Sequence, residues 1–236
     1  MNKNSPYHVY FAGPIFSCQQ LAGNALLADA IHQVSSGQYI CRLPQNYEQR
    51  ESTPTAIRDL DLKLVMSADI GLFHFDGSEL DVGTVIEFLV AKFLDIPSVV
   101  LRSDFRNGGD QNMEMSKSDE DKRYPWNLMA SWYPRTEVVV ENAISRFQSF
   151  LGSPSEDYVE VARLAVDASR KMAEELASRV TEAFDRVIAL PPVLSSDQRE
   201  HVYEWAAHFP GKSFAAVFAE TDLKDLLHSK VEKGLL

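Results

Sequence analysis

The chain has 236 residues, 45% of them hydrophobic and 24% charged, and a formal net charge of -11. That is enough apolar sequence for one substantial core, or for a compact domain with a smaller appendage, and the negative charge argues against a surface that neutralises a nucleic-acid backbone. No apolar run approaches the ~20 residues that cross a bilayer, and the opening MNKNSPYHVYFAG lacks the basic-then-apolar order of a secretory signal. A cytoplasmic location is therefore expected, with a small-molecule substrate and neither nucleic-acid nor membrane partners. The two cysteines, Cys18 and Cys41, read as reduced, buried thiols without a chemical role. The zinc and P-loop spacings C-x-x-C, H-E-x-x-H and G-x-x-x-x-G-K-[ST] do not occur, so their usual support is missing.

In chain order, HVYFA at 8–12 reads as a strand. Residues 19–34 carry Leu21, Leu27, Ile31 and Val34 at near-helical spacing, closed by Gly37 before a strand at 39–43. A helix from Pro54 to Ser67 precedes a strand at 69–75, and a helix from Gly83 to Leu94 precedes a strand at 98–101. Residues 103–124 are polar and aperiodic, a long loop of the kind that serves as a substrate lid. A last strand at 136–140 and a helix at 141–151 follow. This alternation predicts an α/β fold, a flavodoxin-like or Rossmann-like parallel sheet flanked by helices, over residues 1–152.

After Gly152-Ser153-Pro154 the pattern becomes wholly helical. Ser155 is placed to cap a long helix with apolar positions from Val161 through Ala168, Val180 and Phe184 to Val187, stopped by Pro191-Pro192. Further helices are expected near 196–208 and 221–233. Residues 153–236 thus read as a C-terminal all-helical extension, for packing or oligomer support and not for a second active site.

The segment D76-G-S-E-L-D81-V-G83-T-V-I-E87 stands where the third strand gives way to a helix. In an open α/β sheet that is the ligand-binding edge. Two carboxylates there suit glycosidic chemistry, one attacking the anomeric carbon while another group protonates the leaving atom, and a helix N-terminus favours an ionised Glu87. Asp81 reads equally as a helix-entry residue and Glu87 as a solvated helix glutamate. Asp76 and Gln45, each following a strand on the same edge, read either as base contacts or as turn residues. His74 reads as a satisfied strand histidine. Trp126, Trp132 and Tyr133 suit a base pocket or ordinary packing.

Four separated motifs resemble the nucleoside 2-deoxyribosyltransferase family. Y10-F-A-G13-P-I-F16 is similar to its first strand and loop, and D81-V-G-T-V-I-E87 to its D-x-G-T-x-x-E segment. Asp61 in RDLDLKLVMSADI falls where the family has a base-contacting Asp, and W126-N127-L-M129 resembles its N-x-M segment. The resemblance implies Glu87 as nucleophile, Tyr10 beside it, Asp81 holding the sugar and Asp61 serving the base. It also implies Gly13 and Phe16 in the binding loop, and Asn127 and Met129 completing a neighbouring subunit's site in a homo-oligomer. Substrates would be deoxynucleosides and free bases, with no cofactor. The chain departs from the family at Leu89, where a Gly usually stands, and in its helical extension.

Two other readings stay open. A 2'-deoxynucleoside 5'-monophosphate N-glycosidase would need phosphate donors, for which Ser17, Arg102 and Arg106 are candidates. A non-catalytic nucleotide sensor would pair the same domain with a signalling tail.

Overall fold

The computed structural model describes residues 5–47, 53–105, 127–151, 157–218 and 220–236. Residues 106–124 of the expected loop, together with Arg106, Trp126 and Ser155, lie outside them. Five strands, β1 (Tyr7–Ala12), β2 (Tyr39–Arg42), β3 (Ile70–His74), β4 (Ser98–Arg102) and β5 (Thr136–Val140), form one parallel sheet in the order β2-β1-β3-β4-β5. Each agrees with its predicted position to within a residue or two. The chain leaves β1 toward β2 on one side and returns to β3 on the other, so the β1/β3 boundary is the topological switch point, where ligands sit in sheets of this type.

The helices of the first half are α1 (Cys18–Val34), α2 (Pro54–Ser67), α3 (Val82–Phe93) and α4 (Ala143–Leu151). Their starts follow from capping chemistry. Ser17, Thr53 and Asp81 each accept a backbone N–H three residues on, and Pro54 occupies the first turn of α2, where no N–H is needed. Asn142 does the same for Ser145 N–H, so α4 begins two residues later than expected. Gly37, at φ +80°, makes the left-handed exit after α1.

Burial divides the sheet's side chains between two cores. Val9, Phe11, Ile70, Leu72, Val99 and Leu101 pack under α1 and α5 (Tyr158–Ile188), while Tyr10, Ala12, Phe73, Phe75 and Val100 pack under α2 and α3. This is the alternation of a strand buried on both faces. Gly71 pairs with Tyr10 across β1 and β3, and a Cβ there would stand 2.3 Å from the Phe73 ring. The absent side chain is what makes room for that ring.

The helices after residue 153 take part in both cores. Ala173, Ala177, Val180, Phe184 and Val187 bury one stripe of α5 against the sheet and α1. Its cap is Asp157, which accepts from Val159 and Glu160 N–H. Val161, expected on the buried stripe, is exposed. Arg179 ties α5 to the end of β5 through Glu141 (2.5 Å) and Val140 O (2.9 Å), and the Tyr39 hydroxyl donates to Asp185 at 2.5 Å.

On the other face, α6 (Ser196–His208), α7 (Lys212–Ala215) and α8 (Glu220–Glu232) add Tyr203, Ala207, Phe214 and Leu223 to the core holding Tyr10 and Phe88. Asp95, just past α3, accepts from Val193 and Leu194 N–H and pairs with buried Arg135. Both cysteines are free thiols. Cys18 is exposed, contrary to expectation, whereas burial pushes the Cys41 thiol up to about 12. Among the described residues no helix is long and apolar enough to cross a membrane.

Candidate active site

Tyr10 points from β1 into the α2/α3 face and is fully buried, yet its hydroxyl donates to Glu87 Oε1 at 2.8 Å. Glu87 lies half-buried in the second turn of α3. The bond joins residues 77 positions apart and spans the switch point. Phe88, the next residue, is locked by edge-on contacts with Phe73, Phe75 and Tyr133, which fixes the rotation of α3 and hence the direction of Glu87.

The entry to α3 explains the D-V-G-T spacing. Asp81 Oδ2 accepts from both the backbone N–H and the hydroxyl of Thr84, each at 2.8 Å. A Cβ on Gly83 would stand 3.2 Å from that oxygen, so glycine leaves the carboxylate its place. Asp81 is thus the helix cap, while Oδ1 has no hydrogen bond among the described residues. The helix-entry reading of Asp81 holds, and the cap engages one of its two carboxylate oxygens. Asp61 is half-buried on α2, which packs along α3.

The Asn127–Tyr133 turn rests on the same helix. Asn127 caps a 3-10 turn at Leu128–Ala130 by accepting from Met129 N–H (2.9 Å), and the Tyr133 hydroxyl donates to Met129 O (3.1 Å) while its ring abuts Phe88. Lys92, near the end of α3, donates to Pro134 O, Arg135 O and Thr136 Oγ1 and holds the chain after this turn. Met129 is 71% exposed and Asn127 also faces solvent.

At the end of β1, Gly13 runs so close to β3 that a Cβ would stand 3.0 Å from His74 Cβ. Phe16, in the loop that follows, is 79% exposed and its N–H donates to Gln20 Oε1. Gln45 donates to Leu21 O on α1 (3.0 Å), and buried Asn24 donates to Pro14 O (3.2 Å) and so braces the loop.

Asp76 is fully engaged by protein groups. It accepts from Ser103 N–H and hydroxyl, both 2.5 Å, from Asp104 N–H at 3.2 Å, and meets His74 Nε2 at 2.8 Å. Burial pushes its carboxyl up, but the hydrogen bonds and charge of His74 and the bonds from Ser103 outweigh that and hold it down to about 2. The same His74 nitrogen faces both Asp76 and Ser103, so these three do not form a nucleophilic relay, which needs a serine and a carboxylate on opposite ring nitrogens. Asp76 thus anchors the loop after β4, and Gln45 lies in a 3-10 turn at Pro44–Asn46. Arg102, only 1% exposed, donates to Phe75 O and Gly77 O and faces Asp104 at 3.5 Å. Its cation is committed within the protein, not offered to a phosphate.

Sequence reasoning did not find the double donation by Thr84, the Ser103 anchor or the Tyr133 brace. The first has a sequence signal, a Thr three residues after a capping Asp. The Ser103 anchor and the contact of Tyr133 with Phe88 join distant segments and have none.

The parallel 2-1-3-4-5 sheet thus carries a tyrosine-held glutamate at its switch point. Residues 9–129, more than half of the chain, match the nucleoside 2-deoxyribosyltransferase family, and the chain belongs to it. Among solved structures, the chain is similar to a conserved protein from Enterococcus faecalis V583 at 26% identity, covering 60% of this chain and 94% of that one with a TM-score of 0.46. It is also similar to a 2-desoxiribosyltransferase from Leishmania mexicana, at 19% identity over 61% and 97% of the two chains with a TM-score of 0.42. A 2-deoxyribosyltransferase from Bacillus psychrosaccharolyticus matches at 20% identity over 47% and 81%, with a TM-score of 0.38. No curated protein matches significantly.

Proposed function

We propose that the protein exchanges the base of 2'-deoxynucleosides through a covalent deoxyribosyl-Glu87 intermediate. The observation that carries this reading is the 2.8 Å hydrogen bond from buried Tyr10 to Glu87 at the sheet's switch point. Tyr10 holds Oε1, and Oε2 attacks C1'. The C1'–N bond breaks as the C1'–O bond forms, its electron pair leaves with the base, and Asp61 supplies the proton the base needs. A second base then attacks C1' from the vacated side, returns the carboxylate to Glu87 and gives its proton back to Asp61. Two inversions give net retention. Asp81 Oδ1 accepts a sugar hydroxyl. A 2'-hydroxyl would withdraw electrons from the cationic transition state, so deoxy substrates react faster than ribo ones.

The chemistry belongs to residues 1–152, and residues 153–236 support it by covering both faces of the sheet. Asn127 and Met129 complete the site of a second copy. In support, Val82, Ile86 and Phe93 form an exposed apolar line along α3, with exposed Leu128 and Met129 on the turn that packs against it, and such patches mark interaction surfaces.

The test is chromatography of the protein incubated with deoxyinosine plus cytosine, and with thymidine plus adenine, each with and without acceptor. A new deoxynucleoside formed only with acceptor is the expected result. Free base alone would replace transfer by hydrolysis, and turnover only of deoxynucleoside 5'-monophosphates would replace the free 5'-hydroxyl. No product from any of them would leave a binding module.

A further inference from the structure

A cleft of about 580 Å3 opens between α6 and α8, lined by none of the residues of the candidate active site. That volume is in the range of small-molecule sites. Its floor is apolar, with Ala207 and Leu223 buried and Phe218 and Leu227 half-buried. On the α6 wall the Trp205 ring is exposed and is backed by Phe209, stacked at 5.1 Å. A flat or apolar body fits this lining.

The rim favours one kind of head group. Glu200 and Glu204 contribute two carboxylates. His201 Nδ1 faces Asp197 O at 3.1 Å and His208 Nδ1 faces Glu204 O at 2.8 Å. A carbonyl only accepts, so the proton of each neutral imidazole sits on Nδ1 and Nε2 is left as an acceptor. The α6 side therefore offers four acceptors beside an aromatic face, while among the described residues Lys224 stands on the α8 side and Lys63 Nζ lies 5.6 Å from the Phe218 ring on the floor. Donor-rich cations meet both features, through charge-assisted hydrogen bonds and through the indole face.

We propose that this cleft is a second ligand site that takes an organic cation with an apolar or aromatic body, its ammonium among Glu200, Glu204 and the two imidazoles. The test is calorimetric titration of the full chain with tryptamine and with indole-3-acetate, which share a ring system and differ in charge. Tryptamine is expected to bind saturably at one site, and indole-3-acetate roughly tenfold or more weakly. The variant E200Q/E204Q changes two exposed side chains and is expected to weaken tryptamine about fivefold or more. E160Q/E182Q, with the same charge change on the exposed face of α5, is expected to leave binding unchanged. Absence of saturable binding overturns the proposal, as does equal or tighter binding of indole-3-acetate. An equal loss in both double variants assigns the binding to net charge and overturns it too, and no loss in E200Q/E204Q places the cation elsewhere.

Discussion

The Tyr10 hydroxyl donates to Glu87 Oε1 at 2.8 Å from a ring wholly enclosed by the core. Tyr10→Phe removes only the hydroxyl and keeps the packing, so it separates orientation from stability. Unfolding stability is expected to fall by about 1 kcal/mol, and kcat by roughly tenfold to a hundredfold as Glu87 samples unproductive rotamers. Parallel urea melts and steady-state rates check both.

Asp81 caps α3 through Oδ2, and in the proposed reaction Oδ1 holds the sugar. Asn is as good a cap as Asp, so Asp81→Asn is expected to keep stability within a few tenths of a kcal/mol and to raise KM for the sugar. Asp81→Ala loses the cap as well, at about 1 kcal/mol. Thermal melts and KM values for the two variants measure that difference.

The Asp76 carboxyl, held down to about 2 in the fold, gives a pH signature. Unfolded, it titrates near 3.9, so its contribution is complete above about pH 4 and is lost as the pH falls toward 2. That is on the order of 2 kcal/mol. Asp76→Asn is expected to be less stable than wild type at pH 6, with the gap narrowing between pH 4 and 2. Urea unfolding across that range reads it, and a constant gap contradicts the assignment.

Phe93 and Ile86 stand on the apolar line along α3. As a monomer the double variant I86E/F93E loses little, since exposed substitutions usually change stability by about 0.5 kcal/mol or less. It is expected to elute as a monomer with reduced activity. Light scattering at several concentrations, with activity on the same fractions, decides whether the site is shared.

The sheet was legible because parallel strands covered on both faces are nearly continuous apolar runs, and Val9–Ala12, Ile70–Phe73 and Ser98–Leu101 read that way. The entry of α3 at Asp81 was legible because capping is local, and that of α2 because Pro54 suits a first turn. α7 was not, since four residues after Gly211 carry no period. On α5 the stripe was legible at Val180, Phe184 and Val187, but not at the small residues Ala173 and Ala177, which a search for large apolar side chains passes over. In the site, Glu87 and Tyr10 came together in the sequence only through resemblance, because 77 residues separate them. The bonds that tie Asp76 to the loop after β4 and Arg102 to the loop after β3 depend on strand order, which no local pattern carries.

The central claim is that Glu87 becomes covalently bonded to the sugar. The direct measurement is mass spectrometry of protein quenched during turnover of a deoxynucleoside without acceptor, then digested. The expected result is the mass of one deoxyribosyl group on the peptide containing Glu87, and neither adduct nor base exchange in Glu87→Ala, with circular dichroism checking that the variant is folded. Base exchange that persists in Glu87→Ala, or an adduct on another residue, would contradict it.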